Sequence, residues 1–205
     1  MGFYSKYVLP RLIDVSMRNK EIARLRSAWI SHAQGDVLEV GIGSGLNFRH
    51  YPPEVRRIYG VDPSIELQHM ARKRTASGTI PIEFLAQSAE QPLPLPDASV
   101  DTVVMTWTLC SIPNGSMALQ QLRRVLKPFG RLIFIEHGRA PDPRISGWQD
   151  RLTPLWKRLA GGCHLNRQVD ELIASAGFRI NELQTSYLRG PRPFTFTYQG
   201  FAQPD

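Results

Sequence analysis

Glu39 is followed by three alternating glycines, Gly41, Gly43 and Gly45, and then downstream by Asp62. Glycine permits positive φ and removes the Cβ that would hold a ligand away from the main chain. At the carboxyl end of a strand such a turn lets a nucleotide-like ligand lie close against the backbone. Asp62, at the end of the next strand, can accept two charge-assisted hydrogen bonds from a ribose diol. Further along, His137 offers an imidazole, a group that titrates near neutrality and can move a proton. Cys110 and the Cys163-His164 pair add two thiols and a second imidazole. Adjacent residues rarely converge on one ion and no zinc-type spacing is present, so no metal site is expected. The competing readings are a glycine-rich surface turn with Asp62 as a helix cap, and a His137 that only binds backbone.

These residues need elements to position them. Val37–Val40 reads as a short buried strand broken by the glycines, and Arg57–Val61 as the next. Leu46–His50 reads as a short helix whose N-terminus favours an anion. Ser64 caps a helix to about Ala76, with Ile65, Leu67 or Gln68, Met70 and Ala71 inward. Further strands are expected at Ile80–Leu85, Val100–Met105 and Leu132–Ile135, with a helix at Ser116–Leu126. Lys127-Pro128-Phe129-Gly130 should stop that helix in a left-handed turn. After Arg139 the prolines at 141, 143 and 154 predict irregular chain, followed by a helix from Leu165 or Asn166 to Ala176. Two last strands fit Phe178–Leu183 and Phe194–Phe201. This alternation argues a parallel, doubly wound α/β sheet.

Before the first strand, Phe3, Tyr4, Tyr7, Val8, Leu12 and Ile13 recur at helical spacing, with a restart at Pro10. A second helix fits Asn19–Ser31, with Ile22, Leu25 and Trp29 on one face and Arg24 and Arg26 directed elsewhere. Three readings compete for this opening: a lid over the ligand site, an extension packed on the sheet, and an interfacial membrane helix.

The chain has 205 residues, enough for one domain with a sizeable core. Its net charge of +7 is spread along the sequence. Arg72-Lys73-Arg74, the densest basic cluster, reads as a solvated helix face, and no nucleic-acid-binding signature is present, so no nucleic-acid partner is expected. Two cysteines make no disulfide framework, no apolar run is long enough to span a membrane, and no secretory signal pattern opens the chain. A reducing cytoplasmic setting is expected, with peripheral membrane contact as the alternative.

Val37-Leu38-Glu39-Val40-Gly41-Ile42-Gly43-Ser44-Gly45, with Gly60-Val61-Asp62 after it, resembles motif I of class I S-adenosylmethionine-dependent methyltransferases. Leu93-Pro94-Leu95-Pro96-Asp97 and the strand from Val100 follow in that family's order. Its Arg-x-Leu-Lys-Pro-Gly-Gly turn is matched with Phe129 in place of one glycine. The resemblance implies a single Rossmann-like domain over residues 35–205 with an antiparallel last strand, and residues 1–34 as a helical lid or extension. It implies S-adenosylmethionine as cofactor, held by Glu39, Gly41, Gly43, Gly45, Asn47, Asp62 and Pro63 on one side. Ser88, Ala89, Glu90 and Thr106 complete the set. The family commonly carries Asp at the place of Ser88, whose hydroxyl accepts without charge.

Thr108-Leu109-Cys110-Ser111, Phe134-Ile135-Glu136-His137 and Gly162-Cys163-His164-Leu165-Asn166-Arg167 resemble more narrowly the family that includes membrane-associated alkyl thiol methyltransferases. The animal members carry a hydrophobic N-terminal anchor where this chain has a shorter amphipathic opening, so membrane location does not carry over. The resemblance implies methyl transfer to a small-molecule acceptor lying over Trp107, Leu109, Cys110 and His164, with His137 as candidate base. A thiol acceptor is favoured because, with a reference pKa near 8.5, it supplies its own nucleophile. N-methylation of an amine or phospholipid headgroup, and cofactor binding without turnover, remain the alternatives. Oligomeric state is left open.

Overall fold

The computed structural model describes residues 4–205; Phe3, expected in the first helix, lies outside the described residues. Seven strands form one sheet: β1 (Gly35–Val40), β2 (Val55–Val61), β3 (Ile82–Leu85), β4 (Val100–Thr106), β5 (Leu126–His137), β6 (Phe178–Tyr187) and β7 (Phe196–Pro204). Their order is β3-β2-β1-β4-β5-β7-β6. β1 to β5 pair in parallel, whereas β7 lies antiparallel between β5 and β6. The central strands are apolar on both faces, as a sheet covered on both sides requires. Leu38, Met105 and Phe134 fill one core layer, while Val37, Val104 and Ile133 fill the other. That division follows from the two-residue period of a strand.

The helices are α1 (Leu9–Ser16), α2 (Lys20–Ile30), α3 (Ile65–Thr75), α4 (Gly115–Val125), α5 (Pro143–Leu159) and α6 (Val169–Ser175). Asn19, Ser64, Asn114 and Asp142 cap α2 to α5, each accepting a backbone N–H two or three residues on. Because β1 is flanked by β2 on one side and β4 on the other, connections leave it in opposite directions. A crevice opens there at the carboxyl ends of the strands.

Several local expectations need correction. Leu46–His50 is not a helix of useful length; it holds a single 3-10 turn at Phe48–His50. Gly130 is not left-handed, and residues 127–130 belong to β5. Glycine is needed there for contact instead, since a Cβ would stand 2.5 Å from Leu126 Cδ1 and 3.0 Å from the Asp101 carbonyl. The irregular stretch after Arg139 is in fact the 17-residue α5. Pro143 sits in its first turn, where a missing N–H costs nothing, and Pro154 is absorbed in the interior. In α3 the inward residues are Gln68, Ala71 and Thr75, and Ile65 is exposed. Arg72 and Lys73 are exposed as expected, but Arg74 is half-buried and pairs with buried Asp14 at 2.9 Å.

Candidate functional site

A cavity of about 450 Å³ occupies the crevice, within the size range of small-molecule sites. Its first wall is the loop after β1. Gly41, Gly43 and Gly45 all take positive φ, at 68°, 53° and 77°. A Cβ on Gly41 would collide with Thr108 Oγ1 at 2.2 Å, whereas one on Gly43 would meet nothing closer than the Gly41 carbonyl at 3.7 Å. The first glycine is thus required by packing, and the second presents bare backbone to the cavity. Asp62 Oδ2 accepts the Gly43 N–H at 2.9 Å and Oδ1 accepts the Ser64 N–H at 2.8 Å. Burial raises the Asp62 pKa, and these two N–H groups oppose the rise.

Beneath the loop lies a buried polar cluster. Glu39 accepts from Asn47 Nδ2 at 2.8 Å and from the Tyr51 hydroxyl at 2.9 Å. Asn47 also donates to Thr106 Oγ1 at 2.9 Å and accepts from Arg26 Nε at 2.8 Å. Arg26 stacks over Trp107, 5.0 Å from the ring centroid, and donates to the Met17 carbonyl. Burial pushes Glu39 up to about 7, against the hydrogen bonds from Tyr51 and Asn47. Arg26 therefore points into the site, contrary to its expected outward direction. Its charge concealed that role, because helical periodicity assigns an arginine beside an apolar face to solvent.

The far end of the cavity is built by the turn after β4. Trp107 there takes φ 53°, an uncommon conformation for a large side chain. Glu136, at the end of β5, holds the turn: Oε1 accepts the N–H groups of Thr108 and Leu109, both at 2.9 Å, and Oε2 that of Cys110 at 3.1 Å. Burial raises Glu136 to about 7, opposed by those three donors. Arg167 donates to the carbonyls of Leu109 and Ile112 and completes the brace. Cys163, in the turn after α5, places its Sγ 3.6 Å from Cys110 Sγ and 3.6 Å from His137 Nδ1.

α1 closes one side of the cavity through Leu9, Pro10 and Ile13. It is fastened to the glycine loop by Asp14, which accepts from the Ser44 hydroxyl, from Arg74 and from Arg18. Burial alone would raise the Asp14 pKa, but these partners outweigh it and hold the carboxyl below its ordinary value.

Of the expected site residues, Gly41, Gly43, Asn47, Asp62, Pro63, Ser88, Ala89, Thr106, Trp107, Cys110 and His137 line the cavity. Five do not. Glu39 lies under Asn47, and Gly45 packs against Ala71, where a Cβ would come within 3.2 Å of its Cα. Glu90 accepts from Ser88 Oγ and from the Asn114 N–H, tying two loops together. Leu109 is fully buried in the core. His164 Nδ1 turns to the Cys110 carbonyl at 3.1 Å. Trp156 and Cys163 line the cavity in addition, and α5 supplies the former from a stretch whose prolines masked it.

These residues fit S-adenosylmethionine. Each Asp62 oxygen already takes one backbone N–H and retains a lone pair for a ribose hydroxyl. Open backbone at Gly43 and a cavity long enough to run on toward His137 agree with the same ligand.

The methyltransferase domain family matches residues 38–134 of the chain. Human thiol S-methyltransferase TMT1A is 33% identical over 171 residues, covering 79% of this chain and 69% of that protein. Human TMT1B is 36% identical over 169 residues, covering 80% and 67%. The rat TMT1B match, 37% identical, covers 77% of this chain and spans 64% of the relative's length. Among solved structures, an S-adenosylmethionine-dependent methyltransferase from Thermotoga maritima superposes with a TM-score of 0.67 at 21% identity, covering 97% of this chain and 99% of that one. One from Aquifex aeolicus superposes at 0.62 and 19% identity, covering 94% and 97%. The glycine loop, the strand order and this degree of identity together make the chain a class I S-adenosylmethionine-dependent methyltransferase, a member of the family that contains the thiol S-methyltransferases TMT1A and TMT1B.

Proposed function

We propose that the enzyme methylates the sulfur of a small, largely apolar thiol. One observation carries this reading: the end of the cavity remote from Asp62 is walled by Trp107, Cys110, Ile112, Trp156 and Cys163, with His137 beside them. Among the described residues that line the cavity, Asp62 is the only carboxylate, and it stands at the opposite end. An ammonium acceptor would find no carboxylate there to pair with, whereas a neutral thiol needs none. The names of the relatives TMT1A and TMT1B agree with this choice.

When bound, S-adenosylmethionine supplies a methyl group already made electrophilic by its sulfonium charge. The chain's own residues then bind, align and exclude water. Asp62 would hold the ribose diol, the bare backbone at Gly43 would lie along the cofactor, and Ser88 and Ala89 would border the adenine. α1 acts as a lid, bringing Leu9, Pro10 and Ile13 over the cavity and keeping solvent from the transfer. Trp107 and the Glu136-braced turn fix the acceptor's approach. Because a thiol near pH 7 is already in part thiolate, His137 orients rather than abstracts.

This reading makes a kinetic prediction. With an alkyl thiol, kcat/KM should rise with pH toward the thiol's own pKa, and His137→Gln should cost less than tenfold. General-base catalysis is typically worth about 10²–10⁴-fold. A loss on that scale, with cofactor affinity intact, would make His137 the base and point to an acceptor that must shed its proton.

A further inference from the structure

Cys110 and Cys163 are the two cysteines of the chain. They come from segments 53 residues apart yet place their sulfurs 3.6 Å from each other at the edge of the acceptor end of the cavity. The two segments are held together by main-chain bonds: the His164 N–H donates to the Cys110 carbonyl at 2.8 Å. Gly162, with φ 92°, sits so close that a Cβ would stand 2.9 Å from the Ser111 carbonyl oxygen. A disulfide has an S–S distance of about 2.05 Å. Closing the gap therefore needs about 1.5 Å of combined movement by two short side chains on adjoining backbone.

The two thiols are also unlike each other. The hydrogen bond it shares with Cys110, and then the one it shares with His137, hold the Cys163 thiol below its ordinary pKa against the rise that burial causes. The Trp156 N–H, which is buried without a hydrogen bond of normal geometry, lies near enough to favour the same thiolate. The bond to Cys163, then burial, pushes Cys110 up. Cys163 Sγ, 3.6 Å from His137 Nδ1, is the sulfur placed to attack, and Cys110 the one placed to resolve. Methyl transfer as derived above uses neither sulfur covalently.

We propose that Cys163 and Cys110 form a redox-active dithiol at the acceptor end of the cavity, oxidised to an intramolecular disulfide by a low-molecular-weight disulfide and restored by small thiols. The Cys163 thiolate attacks one sulfur of the small disulfide, forming a mixed disulfide and releasing one thiolate. Cys110 then gives up its proton to that released thiolate, and its sulfur attacks Cys163 Sγ, expelling the second thiolate. Two electrons pass from the protein to the small disulfide, and the products are the protein disulfide, one small thiol and one small thiolate. The cross-link ties the turn after β4 to the turn after α5 and takes Cys163 away from His137. It should therefore slow methyl transfer, whatever the acceptor.

The test uses the full chain and glutathione disulfide as oxidant, followed by alkylation and intact-mass analysis. With only two cysteines the readout is unambiguous. The expected product has lost two hydrogen atoms, takes up no alkylating reagent, and yields one peptide linking residues 110 and 163. Dithiothreitol should return both thiols and the lost methyltransferase rate together. Cys110→Ser should stop at a glutathione adduct on Cys163, and Cys163→Ser should leave Cys110 alkylatable. The proposal fails if wild-type protein keeps both thiols alkylatable, or accumulates glutathione adducts without the internal cross-link. The cross-linked peptide from wild type decides the matter alone should either variant not fold.

Discussion

At the scale of single residues, Asp62 and Glu39 illustrate two uses of a buried carboxylate. Asp62 faces the cavity and shapes it, since its two oxygens hold the Gly43 and Ser64 backbones. Asp62→Ala should remove two ribose hydrogen bonds to a charged acceptor, each worth about 1.5–3 kcal/mol. Affinity for S-adenosylmethionine should fall at least roughly tenfold in calorimetry; unchanged affinity in a folded variant would take Asp62 out of the cofactor site. Glu39 acts from beneath. Its folded pKa of about 7 exceeds the ordinary 4.5 because burial outweighs the bonds from Tyr51 and Asn47. An acid raised in this sense stabilises the fold fully below about pH 4.5 and loses that contribution as pH rises through about 7. The stability of wild type relative to Glu39→Gln, measured by urea unfolding, should therefore decline between about pH 4.5 and pH 7, by an amount on the order of 1–3 kcal/mol. A difference that stays constant with pH would assign the raised pKa to another group.

At the scale of elements, the glycine loop, β1, β2 and the Ser64-capped α3 were legible because their signals are local: a strand period, three glycines and a cap. α5 was not. Its prolines read as breakers, and only the capped first turn and packed interior show that the helix absorbs them. The direction of Arg26 and the bracing role of Glu136 escaped for a related reason, since the partners that draw their charges inward lie 21 and 26–28 residues away. His164 and Leu109 were misplaced because a motif gives order along the chain but not the direction of a side chain. The role of α1 can be tested directly. Deleting residues 1–18 removes Asp14 and its bonds to Ser44 and Arg74. Turnover of a soluble acceptor in detergent-free buffer should fall. Full turnover after deletion, with loss of liposome binding, would instead make this element a membrane contact.

At the scale of the whole molecule, that alternative has a physical basis. Leu12 and Val15 on α1 are exposed, as are Leu155 and Leu159 on α5, and Tyr4, in the π-helical turn Tyr4–Val8 that leads into α1, donates its hydroxyl to the Leu159 carbonyl. Among the described residues no helix is long and apolar enough to cross a membrane. Lid and surface contact are compatible, because one face of α1 lines the cavity while the other meets solvent. The sheet supplies the rigid frame. β1, β4 and the second half of β5, residues 132–136, are largely buried on both faces, and their carboxyl ends deliver the glycine loop, the Trp107 turn and the Glu136-His137 pair to one crevice.

The identity of the acceptor atom tests this account most directly. Purified full-length chain and methyl-labelled S-adenosylmethionine should be offered an alkyl thiol, the matching alkyl amine and the matching alcohol in parallel, with products identified by mass. The account predicts a labelled methyl thioether as the main product, formed faster as pH approaches the thiol's pKa. Methylation of the amine with the thiol untouched would contradict it.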